Sequence, residues 1–247
     1  MKNYLRADLY RIVTRPAFWI VHIIGIIALF ITAVLSTTVE LNNDIEYLSN
    51  ASTIISLGIF FIGIYYLFGI FGNDARARTG VMALGRGVSR RDVVTVHFLE
   101  TFMLVGFTWL MLSITGIIIG KLIFNISGYY ARLLISHMIS SSLDTVFSLE
   151  FSMLLMLLGF GMIPCFIIFL CIQFDVISIV FSLITMLPPL MNFDFDAFLP
   201  GGITSKISYY LSYTGSIPII PLFSVLVYML AVFVLAIILY KRKELDF

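Results

Sequence analysis

Residues 16–39, PAFWIVHIIGIIALFITAVLSTTV, form a stretch of 24 residues that contains no Asp, Glu, Lys or Arg. About 20 apolar residues in a helix cross the hydrocarbon core of a bilayer, which is about 30 Å thick. The stretch is continuously apolar and does not alternate between polar and apolar residues. It therefore predicts a membrane-spanning helix rather than a strand of a membrane barrel.

The whole chain has the composition of an integral membrane protein. Of its 247 residues, 60% are hydrophobic and 12% are charged, whereas soluble domains contain about 25% charged residues. The mean hydropathy is +1.06. A net charge of +1 without a long basic stripe excludes a nucleic-acid partner, and the high apolar content excludes disorder.

Five more charge-free stretches follow the first, and together they predict an all-α protein with six transmembrane helices in a single domain, residues 1–247. The last stretch, 207–240, is too long for one span, and Pro218 and Pro221 indicate that its helix begins near them. The predicted spans are 16–39, 47–73, 101–120, 151–174, 176–193 and the segment from these prolines to Tyr240. Residues 121–150 are predicted to lie outside, with the amphipathic piece Tyr129–Ser142 on the outer surface.

The distribution of Lys and Arg predicts the orientation. With six spans both termini lie on the same side, and 12 of the 15 basic residues fall on that side. The exceptions are Lys121, Arg132 and Lys206. The positive-inside rule therefore places both termini in the cytoplasm.

Residues 1–16 are predicted to form an amphipathic helix at the membrane interface. Its apolar face consists of Leu5, Leu9, Ile12 and Val13, and Arg11 and Arg15 lie opposite. The alternative is an ordinary solvated segment that leads into the first span.

The cytoplasmic loop 73–97, NDARARTGVMALGRGVSRRDVVTVH, is the best candidate for contact with a partner. It combines a basic surface with a short apolar patch. Ser89-Arg90-Arg91-Asp92 matches a capping box, so Ser89 is expected to accept a hydrogen bond one turn on and to start the third span. The candidate contact residues are Arg76, Arg78, Met82, Leu84, Arg86, Ser89, Arg90 and Arg91. The alternative is that these charges only determine the topology.

Catalytic, nucleotide-binding and metal-binding motifs are missing from the sequence. There is no P-loop, no H-E-x-x-H and no G-x-S-x-G. The three histidines fall in different regions, and Glu100 and Glu150 are placed at span ends. We therefore expect no enzyme activity, cofactor or metal in this chain, and we expect neither ion coupling nor a charged pocket in the spans.

Two small-residue patterns concern helix packing. Gly116 and Gly120 form G-x-x-x-G, which predicts close helix approach, within one chain or between two copies. Pro164, after Gly159 and Gly161, predicts a kink in span four.

Taken together, the basic start KNYLRADLYRIVTRPAFW, the six spans, the loop GVMALGRGVSRRDVV and the basic tail YKRKELDF resemble the permease subunit of an ABC-2-type transporter. The chain also looks similar to small Gram-positive exporters of phenol-soluble modulins and bacteriocins. The resemblance implies a multi-pass protein of the bacterial cell membrane that works as a dimer. It also implies a coupling helix in loop 73–97 that docks on a separate ATPase subunit, which binds ATP and Mg.

The resemblance further implies short re-entrant helices between spans five and six. Residues 188–217 match them, because this segment is too apolar for a plain loop and is interrupted by prolines and glycines. The alternative is an interfacial belt rich in tyrosine.

The expected cargo is a hydrophobic or amphipathic peptide, because the spans are lined by apolar and hydroxyl-bearing residues; the residues that contact it are not predicted. The alternatives are an exporter of drugs or lipid-linked molecules, the substrate-binding membrane subunit of a vitamin importer, and an intramembrane enzyme.

Overall fold

The computed structural model describes residues 2–37, 43–72, 84–85, 87–185, 199–216 and 218–242. Every regular element in these residues is helical. The helices are α1 (Lys2–Val13), α2 (Pro16–Ser36), α3 (Asn43–Ile64), a π-helix (Tyr65–Gly72), α4 (Arg90–Phe124), α5 (Gly128–Leu158), α6 (Met162–Gln173), α7 (Val176–Thr185), α8 (Pro200–Tyr213) and α9 (Ile219–Arg242).

In the part of the chain that the structure describes, five segments are long and apolar enough to cross a membrane: Pro16–Ser36, Ile45–Gly69, Arg90–Phe124, Gly128–Leu158 and Ile219–Lys241. The first three and the last agree with predicted spans, and α9 begins at the predicted prolines. Helix α2 illustrates why charge-free stretches predict these helices. It buries Phe18, His22 and Leu29 on one face, while Ile20, Ile24 and other large apolar side chains remain exposed. An outer surface of this kind suits contact with lipid.

The prediction for residues 121–174 is wrong. Residues 128–158 form one helix, α5, and the amphipathic piece Tyr129–Ser142 belongs to it instead of lying on an outer surface. Leu134 and Met138 are fully buried in the core. Helix α5 is the most buried of the five span-length helices, and it packs against α3, α4, α6, α8 and α9.

Two glycines and a proline break the predicted fourth span instead of kinking it. Gly159 ends α5 with φ 101°, a left-handed conformation that glycine adopts without a steric penalty. Gly161 is the N-cap of α6, so Pro164 lies in its first turn, where the missing N–H has no helical partner to lose. The predicted span 151–174 is therefore the end of α5 followed by the 12-residue helix α6.

Several helix ends meet at one end of the bundle, which we call the α1 end. The Arg90 guanidinium donates to the backbone carbonyls of Tyr240 and Lys241 at 3.1 and 2.9 Å, so α4 begins where α9 ends. Arg15 donates to the carbonyl of Gly69 at 2.6 Å, which joins the start of α2 to the π-helix. Among the described residues, the basic side chains of α1, the start of α4 and the end of α9 lie at this end.

The G-x-x-x-G pattern of α4 faces helices of its own chain. The Tyr47 hydroxyl donates to the Gly116 carbonyl at 2.7 Å. A methyl group on Gly120 would lie 2.8 Å from Tyr47 and from Ile126. Packing within one chain is therefore the role that the structure supports for these glycines.

Candidate functional site

The buried helix α5 carries two carboxylates inside the bundle. Asp144 lies near the middle of this helix, and Glu150 lies closer to its end at Leu158. The expectation that residues 121–150 form an outer loop with these acids is wrong. The inference that no pair of carboxylates lies within the spans is wrong as well, because Asp144 and Glu150 both belong to α5, and the sequence argument against ion coupling loses its premise.

Helices α6 and α8 run one after the other along α5, and each covers about half of it. The Met162 side chain of α6 lies beside Gly72 at the α1 end, and Gln173 at the other end of α6 reaches Thr145 in mid-α5. Helix α8 begins at that same depth, and Ser212 near its end bonds to Ser136 of α5. At 1.5 Å per residue, α6 and α8 are about 18 and 21 Å long.

The two half-length helices meet at Asp175 and Gly201. A methyl group on Gly201 would lie 2.7 Å from Asp175 Oδ1, so only glycine allows this approach. Gly201 is in the first turn of α8, which begins with Pro200. The Asp175 carboxylate is thus at the positive end of the α8 dipole, where an anion is stabilised.

Hydroxyl and amide groups connect this junction to α5. The Thr204 hydroxyl donates to Asp144 Oδ1 at 2.7 Å. The Thr145 hydroxyl donates to Gln173 Oε1 at 3.1 Å, and Ser148 donates to the same oxygen at 3.5 Å. The result is a polar cluster at mid-depth, at the place where helix ends leave backbone groups without helical partners.

A cavity of about 470 Å³ lies next to the junction. Asp175 and Gly201 line one part of it, and aromatic and aliphatic side chains line the rest. Its lining comprises Phe147, Phe151, Ile168, Cys171, Ile172, Asp175, Ile177, Leu199, Pro200, Gly201, Tyr228, Ala231, Val232 and Leu235. A volume of this size with one carboxylate suits a hydrophobic group next to a positive charge.

Glu150 is a separate feature of the same helix. The residue is 0% exposed, and among the described residues neither of its carboxylate oxygens has a hydrogen-bond partner. A buried carboxylate without a partner is unfavourable as an anion.

Half of the predicted partner-contact residues fall within the described part of the chain. Arg76, Arg78, Met82 and Arg86 lie outside the described residues. Leu84 is half-buried against the core, and Arg91 is exposed. Ser89 is the N-cap of α4 and accepts from the Asp92 N–H at 3.1 Å, which confirms the predicted cap. Arg90 holds the end of α9 instead of pointing freely outward.

The predicted helix at residues 1–16 and the predicted re-entrant segment are also partly described. Helix α1 exists and buries Ile12, but its buried face also carries Asp8, and Val13 is exposed. Residues 186–198 lie outside the described part, and α8 begins at Pro200 instead of being broken there. The position of both helices relative to a membrane stays a prediction.

Sequence reasoning missed the junction, although a signal was present. Ser141, Thr145, Ser148 and Ser152 recur every three or four residues, which is the spacing of one helix face. This pattern predicts a helix through the region assigned to a loop. The approach of Asp175 to Gly201 has no comparable signal, because these residues are far apart in the chain.

No protein-family model matches the chain, and no curated protein matches it. Function is therefore inferred from the residues and the geometry of this chain.

Proposed function

We propose that the chain is the permease subunit of an ATP-driven exporter of hydrophobic or amphipathic peptides, acting as a dimer in the bacterial cell membrane. A separate ATPase subunit docks at the α1 end, which faces the cytoplasm. The observation that carries the proposal is the junction of α6 and α8 at mid-depth, beside the 470 Å³ cavity.

Interrupted helices are a device that transport proteins use at their substrate sites. Irregular backbone is tolerated at membrane depth only when protein or a water-filled cavity satisfies its polar groups. Here protein surrounds the junction, and Asp144, Thr145 and Ser148 of α5 make hydrogen bonds to the side chains of Thr204 and Gln173 at the two helix ends. In this proposal α6 and α8 together cross the membrane once, which adds a sixth crossing to those of the five span-length helices. Movement of one half-helix against the other opens the path of the peptide.

The α1 end is suited to receive a push from a partner. The π-helix Tyr65–Gly72 leads directly into residues 73–89, and π-helical segments occur frequently at functional sites. Arg90 links the other end of that segment to α9. A force on loop 73–89 is therefore delivered to α3, α4 and α9 together.

The chemistry of the cavity favours a cargo with an apolar body and a positive charge. Aromatic walls such as Phe147 and Phe151 bind apolar side chains. Asp175 gives the lining its one carboxylate, next to the start of α8. Peptides that form amphipathic cationic helices combine both properties.

The test is transport in proteoliposomes that contain the chain with and without the separate ATPase subunit that the proposal requires. The probe is a fluorescently labelled synthetic amphipathic peptide. We expect translocation that requires both the ATPase and ATP. The proposal is contradicted if translocation in the presence of the ATPase is the same with and without ATP, or if no translocation occurs.

The docking site is tested by Leu84→Asp, which places a charge in the apolar patch of the loop. The matched control is Leu122→Asp at the far end of α4, where the side chain is 81% exposed. We expect the first variant to lose co-purification with the ATPase and the second to retain it. Equal co-purification of both correctly folded variants contradicts the assignment of this loop.

A second candidate, proton-coupled transport, is favoured by the buried carboxylates of α5. Asp144 accepts from Thr204, and Glu150 lies fully buried. Intramembrane carboxylates are typical of proton pathways. In the same vesicles, translocation driven by a pH gradient without ATP, and lost in Asp144→Asn, would favour this candidate over the first.

A further inference from the structure

Three potential metal ligands meet at the α1 end, away from the junction of α6 and α8. Asp8 of α1 and His97 and Glu100 of α4 are all buried. Their ligand atoms lie within 4.8 Å of one another. We propose that these residues form a zinc site that fastens the N-terminal helix to the transmembrane bundle.

The separations fit a common cation. Zinc binds histidine nitrogen and carboxylate oxygen at about 2.0–2.2 Å, so two of its ligand atoms are about 3.0–3.5 Å apart in a tetrahedral or wider arrangement. His97 Nδ1 and Glu100 Oε2 are 3.1 Å apart. Asp8 completes the group, with its ligand atom within 4.8 Å of the other two.

One oxygen of Glu100 provides independent support for a ligand. Glu100 is 0% exposed, and its Oε1 atom has no hydrogen-bond partner among the described residues. A buried polar atom without a partner costs about 1–3 kcal/mol, and more when the group is charged. A cation bound by Glu100 through both oxygens removes this penalty.

The charge of the cluster is also favourable. A histidine that binds metal is neutral, so the ligands bring the two negative charges of Asp8 and Glu100. Arg11 lies 2.5 Å from Asp8 and brings one positive charge. The surroundings of a bound divalent cation therefore have a net charge of −1, which attracts it.

Outer contacts orient the ligands as they do in other metal sites. The Tyr66 hydroxyl donates to Glu100 Oε2 at 3.1 Å. The Phe71 ring packs edge-on against His97, with the ring centroids 5.0 Å apart. Both residues belong to the π-helix, so the site connects α1, the π-helix and α4. Nitrogen and oxygen ligands in this combination suit Zn²⁺.

The direct test is the metal content of the full chain purified in detergent and loaded with Zn²⁺. We expect about one Zn²⁺ per chain, and binding weakened at least about tenfold in His97→Gln and Glu100→Gln. His137→Gln is the control, because His137 is exposed on α5, and it should bind zinc as the wild type does.

A spectroscopic measurement tests the same site in the wild-type protein, so its result does not depend on whether a variant folds. When Co²⁺ is bound in place of Zn²⁺, visible absorption bands should appear, and adding Zn²⁺ should abolish them. A chelator should lower the midpoint temperature of thermal unfolding of the zinc-loaded protein. The alternative is a metal-free ion pair between protonated His97 and Glu100. That alternative predicts no cobalt bands, no effect of the chelator, and the same zinc content in all three variants, and any of these results overturns the proposal. The outcome is independent of transport activity.

Discussion

Replacing Gly201 with alanine is a test of the junction between α6 and α8. The added methyl group would lie 2.7, 2.8 and 2.9 Å from Asp175 Oδ1, Cγ and Oδ2. Comfortable contact between heavy atoms begins at about 3.5 Å, so the carboxylate must withdraw by about 0.8 Å. That movement takes it away from the N-terminus of α8.

The size of the effect follows from three contributions. Overpacking costs about 1–3 kcal/mol, and weakening of the anion–dipole interaction costs about 0.3–1 kcal/mol. The helix propensity of alanine returns up to about 1 kcal/mol. We expect Gly201→Ala to lower the free energy of unfolding by about 0.3–3 kcal/mol and to reduce peptide translocation.

The control is Gly106→Ala in α4, where an added methyl group meets nothing within 4 Å. This variant should be stabilised by up to about 1 kcal/mol. Unfolding by SDS in mixed micelles measures both changes. Asp175→Ala removes the clash, so adding Gly201→Ala to it should no longer destabilise the protein. The reasoning is refuted if Gly201→Ala behaves like Gly106→Ala, or if Asp175→Ala gives no relief.

Two further variants address helix ends and packing by the same unfolding assay. Ser89→Ala removes the acceptor for the Asp92 N–H and should lower the free energy of unfolding by about 1 kcal/mol. Ser89→Asp should retain the cap. Equal stability of the two variants would show that the cap contributes nothing. Gly120→Ala places a methyl group 2.8 Å from both Tyr47 and Ile126 and should cost about 1–3 kcal/mol. A neutral result for Gly120→Ala would mean that α3 and α4 do not pack as described.

The lipid-facing helices were the predictable part of the fold. Helix α2 begins at Pro16, and α9 begins next to Pro218 and ends at the basic residues Lys241 and Arg242. The capping box that begins at Ser89 predicted the start of α4. These features are local, because lipid contact requires apolar side chains and helix ends require caps.

Helix α5 was not predictable by the same rule. Arg132, Asp144 and Glu150 interrupt its hydropathy, which led to the interpretation as an outer loop. In the structure its polar face is surrounded by protein, so that Thr204 provides a hydrogen bond for Asp144. A hydropathy scale treats every residue of a span as if it faced lipid. It therefore underestimates how readily a segment with polar residues forms a helix that is surrounded by other helices.

The cluster of Asp8, His97 and Glu100 shows the same limit. No histidine motif marks this cluster in the sequence, because only one histidine takes part and Asp8 is almost 90 residues from His97 in the chain. Packing of α1 against α4 brings the three side chains together.

The sequence alone established a helical membrane protein, the location of four of its five span-length helices and the cap of α4, because each depends on residues close together in the chain. Only the tertiary structure revealed the central position of α5, the junction of α6 with α8 and the buried cluster at the α1 end. Each of these depends on contacts between distant segments. The hydropathy of one segment carries no information about which helix will shield its polar groups.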